Sequence, residues 1–481
     1  MPLLTNMMEP LRLEPLFPER GTGEPLAAQL ARRLRDAVEN GTLAPGTKML
    51  GSRQLALRLG IARNTVTLAF EQLVAEGYLT SRSGSGTFVT PSRFQRARRP
   101  TVTRSSQAER ARFAALRGRF DAATGRGPLR PGMPSLASFP RAAWNRCARR
   151  ALSAYAGDIG YGHASGLDSL RREIATHVRQ FRGVSALPEQ VIVVEGAQSA
   201  FHLASVVLAR SGDSIAIEDP CYALARAAFE LYGLQLQAVR VDRDGILPGE
   251  LPAKARFAFV TPTHQFPLGG TLPLSRRLKL LAWAKRHEAY VIEDDYDSEF
   301  TSRVRPLPAL QSLDRDERVI YVGSFSKTLA PGLRVGYLIS PPHLASAFRV
   351  ARASTSLGVS LHLQATLAQF IGGGHFARHI RRANAAYETR RTILARALDP
   401  LADSFETGPM QVGLHVALIA RRRFKDRAAS EISEGERLVP LSELSVARSD
   451  CRGFVLGFTN GSDDEIASAA DRVCRRLRNL G

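Results

Sequence analysis

The sequence predicts an α/β protein with a small helical domain at its N-terminus. Three observations predict it. Apolar residues recur at helical spacing over residues 24–76, punctuated by glycines. From about Val191 onward, short apolar runs alternate with helical stretches, which argues for a large, mostly parallel sheet. Between these regions lies a stretch rich in Arg, Ser and Thr and poor in large apolar residues, which reads as a linker. A chain of 481 residues carries a prior of about three domains and can bury a sizeable core.

Composition narrows the class. The chain is 44% hydrophobic and 23% charged, the balance of a folded protein rather than a disordered one. Its net charge of +21 makes nucleic acid a leading candidate partner. Only six of the 66 basic residues are lysines: Lys48, Lys254, Lys279, Lys285, Lys327 and Lys425. The charge is unevenly placed. Residues 1–90 hold ten basic and eight acidic side chains, whereas residues 91–130 hold eleven arginines against Glu109 and Asp121. No apolar run is long enough to cross a membrane. The first twenty residues carry Pro and Glu through their apolar part and make a poor signal peptide. Cys147, Cys221, Cys451 and Cys474 lack metal-ligand spacing, so no metal is expected and a reduced, cytoplasmic chain is the simplest reading.

The N-terminal elements follow in order. Leu26, Leu30, Leu34 and Val38 recur every four residues and define one helix over 24–39. Gly41, Pro45 and Gly46 break it. Ser52 is placed to cap a second helix holding Leu55 and Leu59, which Gly60 ends. A third helix over 63–76 turns Val66, Phe70, Leu73 and Val74 inward, and Gly77 closes it. Strands over 78–81 and 87–90 flank Arg82-Ser-Gly-Ser-Gly86. Three helices, a tight turn and a hairpin make the winged helix-turn-helix plan. Arg63, Asn64, Thr65 and Thr67 open the third helix, where polar side chains can reach bases and phosphates. The same periodicity also suits a small helical protein-binding module with a solvated polar face.

In the C-terminal region, VIVVE, SIAIE, FAFV, YVIE, VIYV and VGYLI are strand candidates. Their ends carry the unusual residues: Gly196-Ala197-Gln198, Thr261 through Gly269, Asp294-Asp295-Tyr296-Asp297 and Ser324-Phe325-Ser326-Lys327. Each alone also suits a solvated loop. Together they fit one chemistry. A lysine shielded from water can form a Schiff base with the aldehyde of pyridoxal phosphate, a carboxylate can hold the pyridine nitrogen protonated, and a helix N-terminus with hydroxyls and an Arg can hold the phosphate.

Residues 23–89 resemble the GntR-type winged-helix domain almost end to end. That resemblance implies DNA contacts from Arg53, from Arg63, Asn64, Thr65 and Thr67, and from Ser83 and Gly84 at the wing tip. The usual Leu-Pro-Ser-Ser-Arg entry to the second helix reads Met49-Leu50-Gly51-Ser52-Arg53 here. From Leu129 to the C-terminus the chain resembles a fold-type I aminotransferase, through Ser324-x-Ser326-Lys327-x-Leu-x-Pro-Gly-Leu-Arg334-x-Gly336. This implies a large mixed, mostly parallel sheet and a smaller C-terminal α+β part from about residue 376. It also implies pyridoxal 5'-phosphate, with Lys327 as the Schiff-base lysine. Asp294 would face the pyridine nitrogen, Tyr296 the phenolic oxygen and Tyr222 the ring. Ala197, Gln198, Ser324, Ser326 and Arg334 would hold the phosphate. Tyr161 would reach the phosphate in a neighbouring subunit, so a homodimer is implied. Phe266 stands where such enzymes carry an Asn, and Val455 where they carry a carboxylate-binding Arg.

The combination resembles the MocR/GabR-type transcriptional regulators, particularly in Thr261-Pro-Thr-His-Gln-Phe-Pro and Ile292-Glu-Asp-Asp-Tyr-Asp-Ser-Glu-Phe300. The expected organisation is a DNA-binding domain over 1–90, a basic linker over 91–128 and a cofactor-binding, dimerising domain over 129–481. The resemblance implies a head-to-tail homodimer that binds a double-stranded DNA operator and senses a small amine, an amino acid or the cofactor itself. The alternatives are a working aminotransferase and a DNA binder whose large domain is only a scaffold. Positions 266 and 455 count against the first, and the retained lysine, aspartate and phosphate set against the second.

Overall fold

The computed structural model describes residues 18–19, 23–91, 114, 116–117, 125–154, 162–301, 307–356, 358–433, 435–447 and 450–478. Tyr161 and most of the 91–128 stretch lie outside the described residues. The chain divides into two compact units, residues 1–106 and 107–481.

Among its described residues, the first unit has three helices, α1 (Leu26–Glu39), α2 (Ser52–Leu59) and α3 (Arg63–Ala75), and a hairpin of β1 (Leu79–Arg82) and β2 (Gly86–Val89). Leu30, Leu34, Leu55, Leu59, Val66, Phe70 and Leu73 share one core with Met49, Leu79 and Val89. Gly60 adopts the left-handed conformation (φ 64°) that ends α2, a backbone state that favours glycine. The hairpin pairs Leu79 with Val89 and Arg82 with Gly86, one residue later on β1 and one earlier on β2 than the pattern suggests. Two expectations are corrected. Val74 is exposed, because the buried stripe of α3 runs Val66–Ala69–Phe70–Leu73 and a small alanine closes the packing. Ser52 is the first helical residue rather than the cap. Gly51 holds the cap position without a side chain, and Ser52 Oγ instead accepts from Arg63 Nε at 3.4 Å.

The second unit is built on an eight-stranded sheet. Its strands are β3 (Val191–Val194), β4 (Ser214–Asp219), β5 (Gln235–Asp242), β6 (Gly245–Ile246), β7 (Phe257–Val260), β8 (Tyr290–Asp295), β9 (Val319–Ser324) and β10 (Gly336–Ile339). They lie in the order β3-β10-β9-β8-β7-β4-β5-β6. Neighbours from β5 through β9 pair parallel, while β10 runs antiparallel to both β3 and β9. The sheet is covered on both faces. Along β3, Val191 and Val193 join one apolar cluster, and Ile192 and Val194 join another. That double burial explains the near-continuous apolar runs of these strands. β5 escapes sequence reading because its side chains are half exposed near the sheet edge.

Towards the C-terminus, helices His375–Leu398 and Asp463–Arg478 pack with a four-stranded antiparallel sheet. Its strands lie in the order Phe405–Thr407, His415–Ala420, Gly453–Gly457, Val439–Pro440. One core runs from Val191 and Tyr321 of the large sheet to Leu394, Phe454 and Val473 of this region.

Candidate functional site

The second unit gathers its titratable residues at the C-terminal ends of β8 and β9, where parallel sheets place their ligand sites. β8 delivers three consecutive carboxyl groups whose side chains point to alternate faces. Glu293 accepts from the Leu310 and Gln311 amides at 2.7 and 2.8 Å. Asp295 pairs with buried Arg182 at 2.7 Å and accepts from the Tyr321 hydroxyl at 2.6 Å. Asp294 lies on the opposite face from both. It is buried, and among the described residues its Oδ1 has no hydrogen-bond partner. Burial, reinforced by Asp295 and Asp297, holds the Asp294 carboxyl well above the usual range. A buried carboxyl oxygen left without a partner is costly unless a ligand meets it.

Lys327 comes from the short helix Phe325–Thr328 at the end of β9. Its Nζ donates to the Gly132 carbonyl at 2.6 Å. Burial lowers its pKa against the pull of Asp297 and Asp294. Tyr222, at the start of helix Ala223–Tyr232, feels the charges of Asp294 and Arg334, and burial raises its hydroxyl to about 12. The Tyr296 hydroxyl donates to the His264 carbonyl at 2.9 Å.

A ledge for an anion sits beside this group. Gly196 (φ 95°) precedes helix Ala197–Leu208, so Ala197 and Gln198 form its first turn. A Cβ on Gly196 would lie 3.6 Å from the Arg334 guanidinium, which therefore approaches the positive end of that helix. Arg334 itself has φ 50°, a left-handed conformation uncommon for a non-glycine residue. Ser324 pairs with Gly336 in the sheet, and Gly336 pairs with Val194 on its other side. Ser324 Oγ accepts from the Ser326 amide at 3.1 Å, fixing the turn that aims Lys327. Two arrangements that separate this chain from aminotransferase expectations are also explicit. The Phe266 ring meets Tyr222 and Tyr296 edge-on at 5.7 and 6.2 Å. Val455 is fully buried in an apolar cluster with Ala223, Leu441, Leu444 and Cys451.

Sequence reading missed four participants. Glu218 is buried at the end of β4, accepts from the Thr261 hydroxyl at 2.6 Å and is pushed up to about 7 by burial. His264, Asp297 and His415 form a second buried group with ligand atoms within 4.8 Å of one another. His264 and Asp297 stand in stretches that the sequence marks as unusual, but nothing marks His415. The four cysteines are all buried and none forms a disulfide.

In the first unit, the candidate DNA-contacting residues lie at the starts of α2 and α3 and at the hairpin tip. Arg53, Arg63, Asn64, Ser83 and Gly84 are exposed, and Thr65 and Thr67 are half-buried. Thr67 Oγ1 donates back to the Arg63 carbonyl at 3.1 Å. Gly84 has φ 70° and makes the tip turn. Lys48 and Arg82 lie over the Phe88 ring at 5.8 and 5.1 Å, adding two cations to the hairpin.

Fold and site thus define a winged-helix protein carrying an aminotransferase-type domain. Comparison with known proteins agrees. Residues 26–89 match the bacterial regulatory proteins of the gntR family, and residues 140–452 match aminotransferase class I and II. The chain is 37% identical over 450 residues to the probable rhizopine catabolism regulatory protein MocR of Rhizobium meliloti, covering 92% of this chain and 91% of that protein. It is 34% identical to the HTH-type pyridoxine biosynthesis transcriptional regulator PdxR of Corynebacterium glutamicum, covering 94% of each. Among solved structures, the kynurenine aminotransferase of Pyrococcus horikoshii superposes with a TM-score of 0.68 at 25% identity, covering 79% of this chain and 95% of that one. The chain belongs to the family of HTH-type transcriptional regulators that join a GntR-type DNA-binding domain to an aminotransferase class I/II domain. The aminotransferase class I/II family is pyridoxal-phosphate-dependent, and GntR-family regulators bind DNA operators. Among the described residues, no helix is long and apolar enough to cross a membrane.

Proposed function

We propose that this chain is a cytoplasmic regulator that binds its operator through residues 1–90 and senses a small amine, or the cofactor itself, through residues 129–481. The basic stretch 91–128 joins the two as a linker, and the small α+β part begins near residue 376. The single observation that carries the cofactor assignment is the buried, partnerless Oδ1 of Asp294 beside a lysine whose pKa burial lowers. Together with the helix start facing Arg334, this donor set fits pyridoxal 5'-phosphate.

When bound, the cofactor supplies an aldehyde that condenses with primary amines and a ring that withdraws electrons. Lys327 would offer the amine, whose pKa burial lowers. Asp294 receives the pyridine nitrogen and keeps its proton in place. That cation would bring the carboxyl pKa back down, which makes the free site a poised one. Tyr222 would cover the ring, and Tyr296 would swing its hydroxyl from the His264 carbonyl to the phenolic oxygen. Ala197, Gln198, Ser324, Ser326 and Arg334 hold the phosphate, and Tyr161 is assigned to the phosphate site of a second copy in a head-to-tail homodimer. Arg53, Arg63, Asn64, Thr65, Thr67, Ser83 and Gly84 contact the operator. A ligand moves the operator equilibrium only through different affinities for two states of the dimer.

The test is operator binding. Genomic fragments selected by the full-length protein define the operator, and its affinity is then measured with and without added cofactor and a panel of amines. At least one of these ligands should change operator affinity about fivefold or more, the lower end of ordinary allosteric coupling. Affinity unaltered by any of them, together with sustained turnover of amino acids and keto acids, would establish an aminotransferase instead.

A further inference from the structure

The buried group formed by His264, Asp297 and His415 has a hydrogen-bonding pattern that the reading above leaves unused. The Asp297 carboxylate can only accept, so the contact of 3.0 Å to His264 Nδ1 fixes the proton on that nitrogen. His415 Nε2 lies 3.2 Å from the Pro267 carbonyl, which fixes its proton there. Each ring is therefore left with one bare lone pair, His264 Nε2 and His415 Nδ1. Both atoms are buried, and among the described residues neither has a hydrogen-bond partner. The two rings lie 4.5 Å apart. The side chains are 2% and 0% exposed, so water does not satisfy them freely.

The pair adjoins the cofactor residues. His264 presents its carbonyl to the Tyr296 hydroxyl, and the Phe266 ring bridges Tyr222, Tyr296 and His415. Burial, reinforced by the charge of Lys327, holds His415 well below the usual histidine range and keeps its lone pair free. The charged or titratable groups around it are Lys327, His264, Asp297 and Tyr296. We infer that His264 Nε2 and His415 Nδ1 form the specificity subsite for the amine effector, accepting hydrogen bonds from a second donor group, a hydroxyl or an ammonium, on the same molecule. A ligand with only an alkyl tail would leave two buried acceptors unpaired, so the site selects against it. The inference rests on the reading that Lys327 holds the cofactor.

The test uses the full-length, cofactor-loaded protein and its visible absorption. Ethanolamine, 3-amino-1-propanol and 4-amino-1-butanol are titrated against n-propylamine, n-butylamine and n-pentylamine, pairs matched in heavy atoms. In the wild type at least one amino alcohol should bind about tenfold tighter than its alkyl partner. His415→Phe keeps an aromatic ring but removes the acceptor. It should bring that ratio to about one while leaving alkylamine affinity within about twofold, and His415→Gln, which restores an acceptor, should recover part of the preference. No preference in the wild type, or an unaltered preference in both variants, overturns the subsite while the absorption still supports the cofactor. A variant that loses cofactor about tenfold but keeps the ratio assigns the donor to the cofactor and likewise overturns it. A wild type that takes up no cofactor overturns both readings.

Discussion

Glu218 shows how burial turns a single side chain into a pH-dependent element. It sits under the Thr261–Gln265 segment, takes its hydrogen bonds from Thr261 and Gln265, and titrates near 7 rather than 4.5. The folded state thus holds a proton that the unfolded chain releases near 4.5. The stabilisation is present below that value and is lost as pH rises through 7. Across this window the group accounts for up to about 3 kcal/mol. Urea unfolding between pH 5 and 8 should therefore show stability falling with rising pH, and Glu218→Gln should reduce the slope while keeping the acceptor, the rest coming from Glu293, which burial also pushes up to about 7. An unchanged slope would remove Glu218 as its source. Gly413 gives a steric prediction at the same scale. It has φ 81°, and an added Cβ would run into His264 Nδ1 and Asp297 Oδ2. Its amide donates to the Phe300 carbonyl at 2.7 Å, and the Leu414 amide donates to Asp297 Oδ2 at 3.1 Å. Gly413→Ala should destabilise the chain by about 2 kcal/mol or more, measured as a lowered urea midpoint. A midpoint equal to the wild type would show that the segment can shift without cost.

Among the elements, α3 carries the clearest division of labour. Val66, Ala69, Phe70 and Leu73 fix it in the small core, while Arg63 and Asn64 stay exposed at its start. Arg63→Ala should weaken operator binding by about 1–3 kcal/mol while leaving visible absorption of the cofactor unchanged. Equal operator affinity would refute the recognition role of this helix. Most elements are legible in the sequence because one rule dominates each. Leu30 and Leu34 mark α1 by helical period, Gly60 ends α2 through its left-handed backbone, and the apolar runs of β3, β4 and β7 reflect burial on both sheet faces. β5 is illegible because its alternation Gln235-Leu-Gln-Ala-Val-Arg carries no strong apolar run. The group at the ends of β8 and β9 is legible because Asp294, Tyr296 and Lys327 follow strand candidates directly. His415 is not, because its meaning comes from Pro267, far away in sequence, whose carbonyl holds its ring. Val455 illustrates the converse. Its position is readable, but only the packing of Leu441 and Leu444 shows that the space around it is filled by apolar side chains.

At the scale of the whole molecule, the charge of +21 is a poor guide to which residues read DNA. The first ninety residues are nearly balanced, and eleven arginines fall in 91–130. Such a stretch suits phosphate contacts without sequence preference, leaving specificity to a few side chains of the winged helix. The scarcity of lysine is the more informative feature, because one of only six lies half-buried at the end of a parallel strand. The account therefore turns on whether Lys327 is the residue that bonds to pyridoxal phosphate. The most direct measurement is borohydride reduction of the purified full-length protein, followed by peptide mass spectrometry. The account predicts one phosphopyridoxyl mass addition, located on Lys327 and absent from Lys327→Ala. An addition spread over the other five lysines, or retained unchanged in Lys327→Ala, would contradict it.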